Sequence, residues 1–185
     1  MSEIKIMPVD ITDAAQLLDI YAYYIQNTAI TFEYEIPSLT EYQKRIEEIS
    51  QTYPYLVAKK DGKVVGFAYA ATFNHSAAYK WSVEVTIYLD PTSRGNGIGK
   101  KLYYRLEQCL SAMGFQNLNA CISVPKKDAD SYVDYGSMHF HEHLGYKLVG
   151  RFHSCGYKFD TWYDMIWMEK LIGDHPVPAP LLLDK

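Results

Sequence analysis

The chain has 185 residues, 48% of them hydrophobic and 22% charged, with a formal net charge of -4. That length and balance suit one soluble domain large enough to bury a core, and without a basic excess to neutralise phosphates they argue against a nucleic-acid partner. No apolar run is long enough to span a bilayer and the N-terminus has no basic-then-apolar signal segment, which argues against a membrane partner.

Residues 3–9 alternate around Ile4 and Ile6 and predict a first strand. Asp13 with Gln16 three residues on predicts a helix start. Ala14, Leu17, Leu18, Tyr21, Tyr24 and Ile25 then fall on one helical face that fades near Asn27. The stretch 28–36 has no strong period; its aromatics and acids either line a cleft or pack as a connecting loop. Ser38 and Glu41 form a capping-box pattern ahead of a second face at Leu39, Tyr42, Ile46 and Ile49. Segments 55–60 and 63–73 predict strands joined by an Asp61-Gly62 hairpin turn. A loop over 74–80 leads into the β-branched strand 83–89, which Asp90-Pro91-Thr92-Ser93 breaks. After a glycine-rich turn, Ile98, Leu102, Leu106, Cys109, Leu110 and Met113 mark a helix that stops at Gly114. Then come a strand over 118–124, a polar loop over 125–134, a short helix over 137–144 and a closing antiparallel pair over 146–157 and 161–171. Residues 1–172 read as one domain, and the 173–185 tail, with Pro176, Pro178 and Pro180, is expected to be extended. This order of elements predicts a single-domain mixed α/β (α+β) fold, with the strand that feeds the glycine turn near the middle of its sheet.

Cys109, Cys121 and Cys155 share no metal-type spacing, and an odd number argues against a disulfide framework; reduced thiols in a cytoplasmic chain are expected. The 17 tyrosines combine an apolar ring with a polar tip, which suits a cleft or a subunit contact.

The turn Arg94-Gly95-Asn96-Gly97-Ile98-Gly99-Lys100 has a physical use. Glycines let successive N–H groups point into one concavity, and the helix N-terminus adds unpaired donors, so the turn can cradle a phosphate or diphosphate between Arg94 and Lys100. Its G-x-G-x-G spacing is not the G-x-G-x-x-G of dinucleotide binding, and Arg94 and Lys101 stand where a P-loop needs Gly and Ser/Thr. Read locally, it is either such a cradle or a tight strand-to-helix turn with no ligand.

The pattern R-x-x-G-x-G after a strand carrying Glu84 resembles the coenzyme A signature of the GNAT N-acetyltransferase superfamily. TFEYE (31–35), YPYLVA (53–58), AAYKWSVEVTIYL (77–89), FHEHLGY (140–146) and GYKFDTWYDMIWMEK (156–170) together resemble its phosphinothricin N-acetyltransferase and amino-acid N-acyltransferase branch. The likeness implies a mixed central sheet, flanked by helices, whose central strand and the next splay apart. It implies acetyl-CoA as co-substrate and an amino-acid-like amine such as phosphinothricin, methionine sulfoximine or methionine sulfone as acceptor. It also implies a homodimer. On this likeness the backbone of Ile87, Tyr88 and Leu89 and the turn Arg94, Gly95, Asn96, Gly97, Ile98, Gly99 and Lys100 hold the coenzyme. Asp134 stands where the family often has Asn near the pantetheine, and Glu84 matches the acid near the substrate amine.

Acetylating an amine with a thioester requires a deprotonated amine, donors for the oxyanion and a proton for the leaving thiolate. Strand alternation puts Glu84 opposite Val83, Val85 and Ile87, on the side of Thr86 and Tyr88. There a partly shielded carboxylate would have a raised pKa and suit a base, acting directly or through water; the alternative is a salt-bridged structural acid. A backbone N–H near Tyr88 and Leu89 could meet the oxyanion. His141 stands where many superfamily members carry a tyrosine acid; it either protonates the thiolate or packs while water does so. His139, His141 and His143 do not share a helical face, and no metal is expected. Phe32, Glu33, Tyr79, Lys158 and Trp162 are the acceptor-site candidates, Lys158 to meet a carboxylate or phosphinate. Tyr79 and Trp162 serve equally as core aromatics. Ser76 stands where related sequences often carry arginine, and the 125–136 loop is longer than usual for the group; both bear on which amine is used. Transfer is expected to be direct, since no cysteine stands beside a suitable base. The rival readings are the same fold acting on a polyamine, peptide N-terminus or antibiotic, and a non-catalytic coenzyme A-binding scaffold.

Overall fold

Alternating apolar residues build seven strands: β1 (Ile4–Pro8), β2 (Tyr55–Lys60), β3 (Lys63–Thr72), β4 (Ser82–Leu89), β5 (Asn117–Val124), β6 (Lys147–Lys158) and β7 (Thr161–Leu171). Four helices, α1 (Ala14–Asn27), α2 (Leu39–Ser50), α3 (Ile98–Met113) and α4 (Gly136–His143), complete the computed structural model, which describes residues 3–127, 130–175 and 180–182. The strand order is β1-β2-β3-β4-β5-β7-β6, so β4 is central, as expected. Every neighbouring pair is antiparallel except β4 and β5.

Local chemistry accounts for most element ends. The hairpin residues Asp61 and Gly62 have φ of 50° and 81°, the left-handed pair that a tight β2–β3 turn demands. Ser38 Oγ accepts from the Glu41 N–H at 3.2 Å while Glu41 Oε2 accepts from the Ser38 N–H at 2.8 Å, the reciprocal cap read from the sequence. The α1 helix starts where expected, with Asp13 at its N-cap, but Asp13 does not pair with Gln16. The capping pair is Asp10 and Asp13, heading a 3-10 turn over Ile11–Asp13 that runs into the helix. Gln16 is occupied elsewhere, its Oε1 accepting from the Val64 N–H at 3.0 Å.

The sheet separates two cores. Val83, Val85, Leu118, Ile122 and Ile166 pack with Leu102 and Leu106 of α3 on one side. Val57 and Phe67 pack with Leu17 and Ile25 of α1 and Ile46 of α2 on the other. Leu181, in the tail, is 3% exposed and joins the α3-side core. Burying a leucine there anchors that part of the tail to the body; Pro176 and Pro178 lie outside the described residues. Among the described residues, no helix is long and apolar enough to cross a membrane.

One irregularity positions everything that follows. The parallel ladder between β4 and β5 holds only from Ser82 to Glu84 against Asn117 to Asn119. At the fork, Asn119 Nδ2 donates to the Val83 carbonyl at 3.2 Å. Beyond it the two strands part.

Candidate active site

Past the fork, β4 is paired on its β3 edge only. Alternation decides which backbone groups turn into the opening. The Asp90 N–H donates to the Val65 carbonyl at 3.0 Å, so Asp90, and with it Tyr88, faces β3, while Leu89 and Ile87 face the opening. Leu89 is not free, contrary to expectation. The Tyr24 hydroxyl donates to the Leu89 carbonyl at 2.5 Å and accepts from the Leu89 N–H at 3.3 Å and from Arg94 Nη2 at 2.9 Å. Of the three expected contributors, Ile87 alone presents its amide to the opening. Tyr88 contributes its side chain instead, packed edge-on to Tyr21 and Tyr24 with ring centroids 5.0 and 4.9 Å away.

Two adjoining cavities fill the opening and share Ile30, Ile87 and Ser137. One, of about 320 Å³, is walled by Tyr24, Leu89, Arg94, Gly95, Asp134 and Phe140. Gly95 and Gly97 have φ of 79° and 72°, so the turn keeps a shape that side-chain-bearing residues resist. Asn96 Nδ2 closes it with bonds to the carbonyls of Ser93 and Arg94 at 3.3 and 3.4 Å. No side chain caps α3, which leaves its first N–H groups as donors beside the exposed Arg94 and Lys100. The Ile98 side chain is core, and Gly99 lets the Phe140 ring approach α3, so at these two positions only the backbone is offered to a ligand. An uncapped 16-residue helix, a left-handed turn and a guanidinium at one cavity fit the diphosphate of a coenzyme.

The second cavity, of about 270 Å³, includes Glu84, Tyr88, Tyr103, Ser123, His141 and Phe32. Val83 and Val85 point into the α3-side core, and Glu84 takes the opposite face. Its carboxylate is half-buried and meets no hydrogen-bond or ion-pair partner among the described residues, and burial raises its pKa above the usual carboxylate value. Phe32 reaches the cavity because Gly156 has no Cβ to block its ring.

His141 is 2% exposed. Its Nδ1 lies 2.7 Å from the Ser137 carbonyl and so carries the ring proton, leaving Nε2 to accept from the Tyr103 hydroxyl at 2.9 Å. Burial lowers its pKa to about 4 despite the Ser137 bond. A neutral ring with its free lone pair already engaged has no proton to offer the cavity, which corrects the expectation of a histidine acid. The hydroxyl proton nearby belongs to Tyr103, whose pKa burial raises. Helical period assigns Tyr103 to the core beside Leu102, and the sequence signal that could have marked it is that a buried tyrosine hydroxyl needs a partner.

The other acceptor candidates lie apart from this cavity. Glu33 is paired with Arg45 at 2.8 Å, beside a separate hollow of about 70 Å³ behind Tyr69 and Tyr88. Tyr79 is exposed and packs edge-on to Phe73, with ring centroids 5.8 Å apart. Trp162 is exposed and leans on Tyr157 at 5.1 Å. Lys158 is buried, and its Nζ donates to the carbonyls of Thr28 and Thr31 at 2.9 and 2.8 Å. Its charge fastens the loop that bears Ile30 and Phe32 rather than meeting a substrate anion. Backbone carbonyls from a loop about 130 residues away in sequence leave no mark in local spacing.

Residues 6–167 match the family model for the acetyltransferase (GNAT) domain. The chain is 32% identical over 177 residues to the phosphinothricin N-acetyltransferase of Streptomyces viridochromogenes, covering 96% of this chain and 91% of that protein. It is 25% identical over 178 residues to the L-methionine sulfoximine/L-methionine sulfone acetyltransferase of Salmonella typhimurium, covering 91% and 95%. Among solved structures, a GNAT superfamily phosphinothricin acetyltransferase from Sinorhizobium meliloti in complex with acetyl-CoA superposes with a TM-score of 0.86 at 32% identity, covering 98% of this chain and 95% of that one.

Proposed function

Because the chain belongs to the GNAT acetyltransferase family, we propose that it moves acetyl from acetyl-CoA to the amino group of a small amino-acid-like amine by direct attack, with Glu84 as the base. The observation that carries this reading is Glu84 itself, a half-buried carboxylate with no partner among the described residues, in the cavity that adjoins the glycine turn. The names of the relatives support the acceptor class.

The residues fit the coenzyme, which when bound supplies an acyl group on a good leaving sulfur. Arg94 and the backbone of the turn and first turn of α3 hold its diphosphate, and the Ile87 amide pairs with its arm. Glu84 takes a proton from the ammonium, directly or through water, because a protonated amine has no lone pair to attack with. A raised pKa makes this carboxylate a stronger base than an ordinary one. The departing sulfur takes its proton through water, since the Tyr103 hydroxyl is already donated to His141. Thiol release from acetyl-CoA across an amine panel tests the reading. Release with methionine sulfone and none with polyamines is expected. The reverse order overturns the acceptor class, and saturable coenzyme binding with no release on any amine overturns catalysis.

The homodimer belongs to the same reading. Leu148, Val149 and Phe152 on the edge strand β6 and Trp162 on β7 are large apolar groups left exposed. The purified chain is expected to sediment as two copies and Phe152→Asp as one; a wild type that sediments as a single chain refutes it. The unpaired Cys109, Cys121 and Cys155 suit a reducing compartment such as the cytoplasm.

A further inference from the structure

Ser123 lies on the β5 wall of the acceptor cavity, where the mechanism above gives it no task. Leu118, Ala120, Ile122 and Val124 of that strand point into the α3-side core. The alternate residues Asn119, Cys121 and Ser123 therefore share the other face. The ladder pairs Glu84 with Asn119, so this is also the face of Glu84. Ser123 stands across the fork from the base, next to Met165 of β7, with which it is in register.

Ser123 is 6% exposed, and its Oγ is buried with no hydrogen-bond partner among the described residues. Buried hydroxyls are nearly always paired, because leaving one unpaired forfeits its hydration with no return. A hydroxyl left unpaired on a cavity wall is matched when a ligand brings the missing group.

The charge of the cavity limits what that group can be. Among the described lining residues there is no lysine or arginine, and Glu84 carries the only full charge, His141 being held neutral. Lys158 is bound to loop carbonyls and Arg45 to Glu33, so neither turns toward Ser123. An anionic side-chain group seated here would face a carboxylate with no countercharge, whereas an uncharged oxygen or nitrogen accepts from a hydroxyl at no such cost.

We propose that Ser123 is a specificity-determining residue of the acceptor site: its hydroxyl donates to an uncharged polar group on the side chain of the amine. The site thereby favours sulfone-, sulfoximine- or amide-bearing amino acids over those with an anionic side chain. The proposal rests on the N-acetyltransferase reading and names the acceptor within it.

Steady-state thiol release with methionine sulfone, norleucine and phosphinothricin tests it, using the wild type and Ser123→Ala. The wild type is expected to prefer methionine sulfone to phosphinothricin by about tenfold or more in kcat/KM. In Ser123→Ala the preference for methionine sulfone over norleucine falls about tenfold, through KM, while the KM for acetyl-CoA holds and reports an intact fold. A wild type that prefers phosphinothricin overturns the proposal. So does an alanine variant that loses both acceptors equally, which marks a structural role, or one that keeps the wild-type preference. If the wild type acetylates no amino acid, the N-acetyltransferase reading fails and the proposal with it. If it acetylates methionine sulfone and Ser123→Ala matches it throughout, the proposal alone fails.

Discussion

Replacing Glu84 by glutamine is expected to lower turnover by about 10²- to 10⁴-fold while leaving acetyl-CoA binding intact, the range for removing a general base. Glutamine keeps the shape and removes the proton acceptor, and Glu84 has no partner among the described residues whose loss could disturb the fold. The pH dependence carries a sign. Burial raises the folded carboxyl's pKa above its usual value, so the acid limb of kcat/KM in the wild type should fall at a pH above that of an ordinary carboxylate. The same shift bears on stability. Between the unfolded and folded pKa values the native state holds more protons than the unfolded one, so the burial penalty grows as pH rises through that window and is complete above it. Glu84→Gln removes the penalty and should melt at or above the wild-type temperature at about pH 8, with the gap closing on acidification. A variant that keeps its turnover, or that melts well below the wild type, marks Glu84 as a structural acid.

The second large effect falls on stability. Asp164 on β7 has a side chain 3% exposed and accepts from Arg151 Nε at 2.7 Å, His153 Nδ1 at 3.0 Å and the Ser154 N–H at 2.8 Å. Arg151 Nη2 also donates to the Pro125 carbonyl at 3.2 Å. One carboxylate thus clips β7 to the irregular stretch of β6 between Phe152 and Gly156, and through Arg151 to the loop after β5. Asp164→Ala strands an arginine and a buried N–H and is expected to cost about 3 kcal/mol, the low end for breaking a buried pair because Arg151 is 35% exposed and water meets part of the loss. Burial pushes this carboxyl up, but the donors from Ser154, Arg151 and His153 overcome it and bring its pKa to about 2. A depressed folded pKa means stability that is present above the unfolded value, about 3.9, and lost as pH falls toward the folded one. Urea denaturation of both proteins should therefore show the full difference at neutrality and a shrinking one at about pH 3. A variant equal to wild type at neutrality refutes the clip.

How much could be read in advance depends on the range of the interactions. Periods of two and 3.6 residues, a capping pair such as Ser38 with Glu41 and a left-handed pair such as Asp61 with Gly62 are local, and the chain spells them out. So are the strand-turn-helix unit around Arg94 and the face that Glu84 takes on β4. Asp13 with Gln16 marked the right helix start but the wrong cap, because two acids three residues apart, Asp10 and Asp13, also make one, and Gln16 was drawn away to the Val64 N–H. The family itself was legible, since its motifs lie in unbroken stretches.

What a side chain does in the cleft was another matter. Tyr24 reaches Leu89 across 65 residues, Tyr103 reaches His141 across 38, and Lys158 reaches Thr28 across 130. No spacing rule encodes such pairs, because sheet order and the packing of α1 and α4 create them. Burial acts the same way, turning a histidine that would titrate near neutrality into a neutral acceptor and leaving the Ser123 hydroxyl without a partner among the described residues. The sequence by itself determined the order of elements, the family and the strand that bears Glu84. Only the tertiary structure decided which charges are already spent and which buried polar groups are left unpaired among the described residues, because desolvation and long-range proximity exist only once the chain has closed on itself.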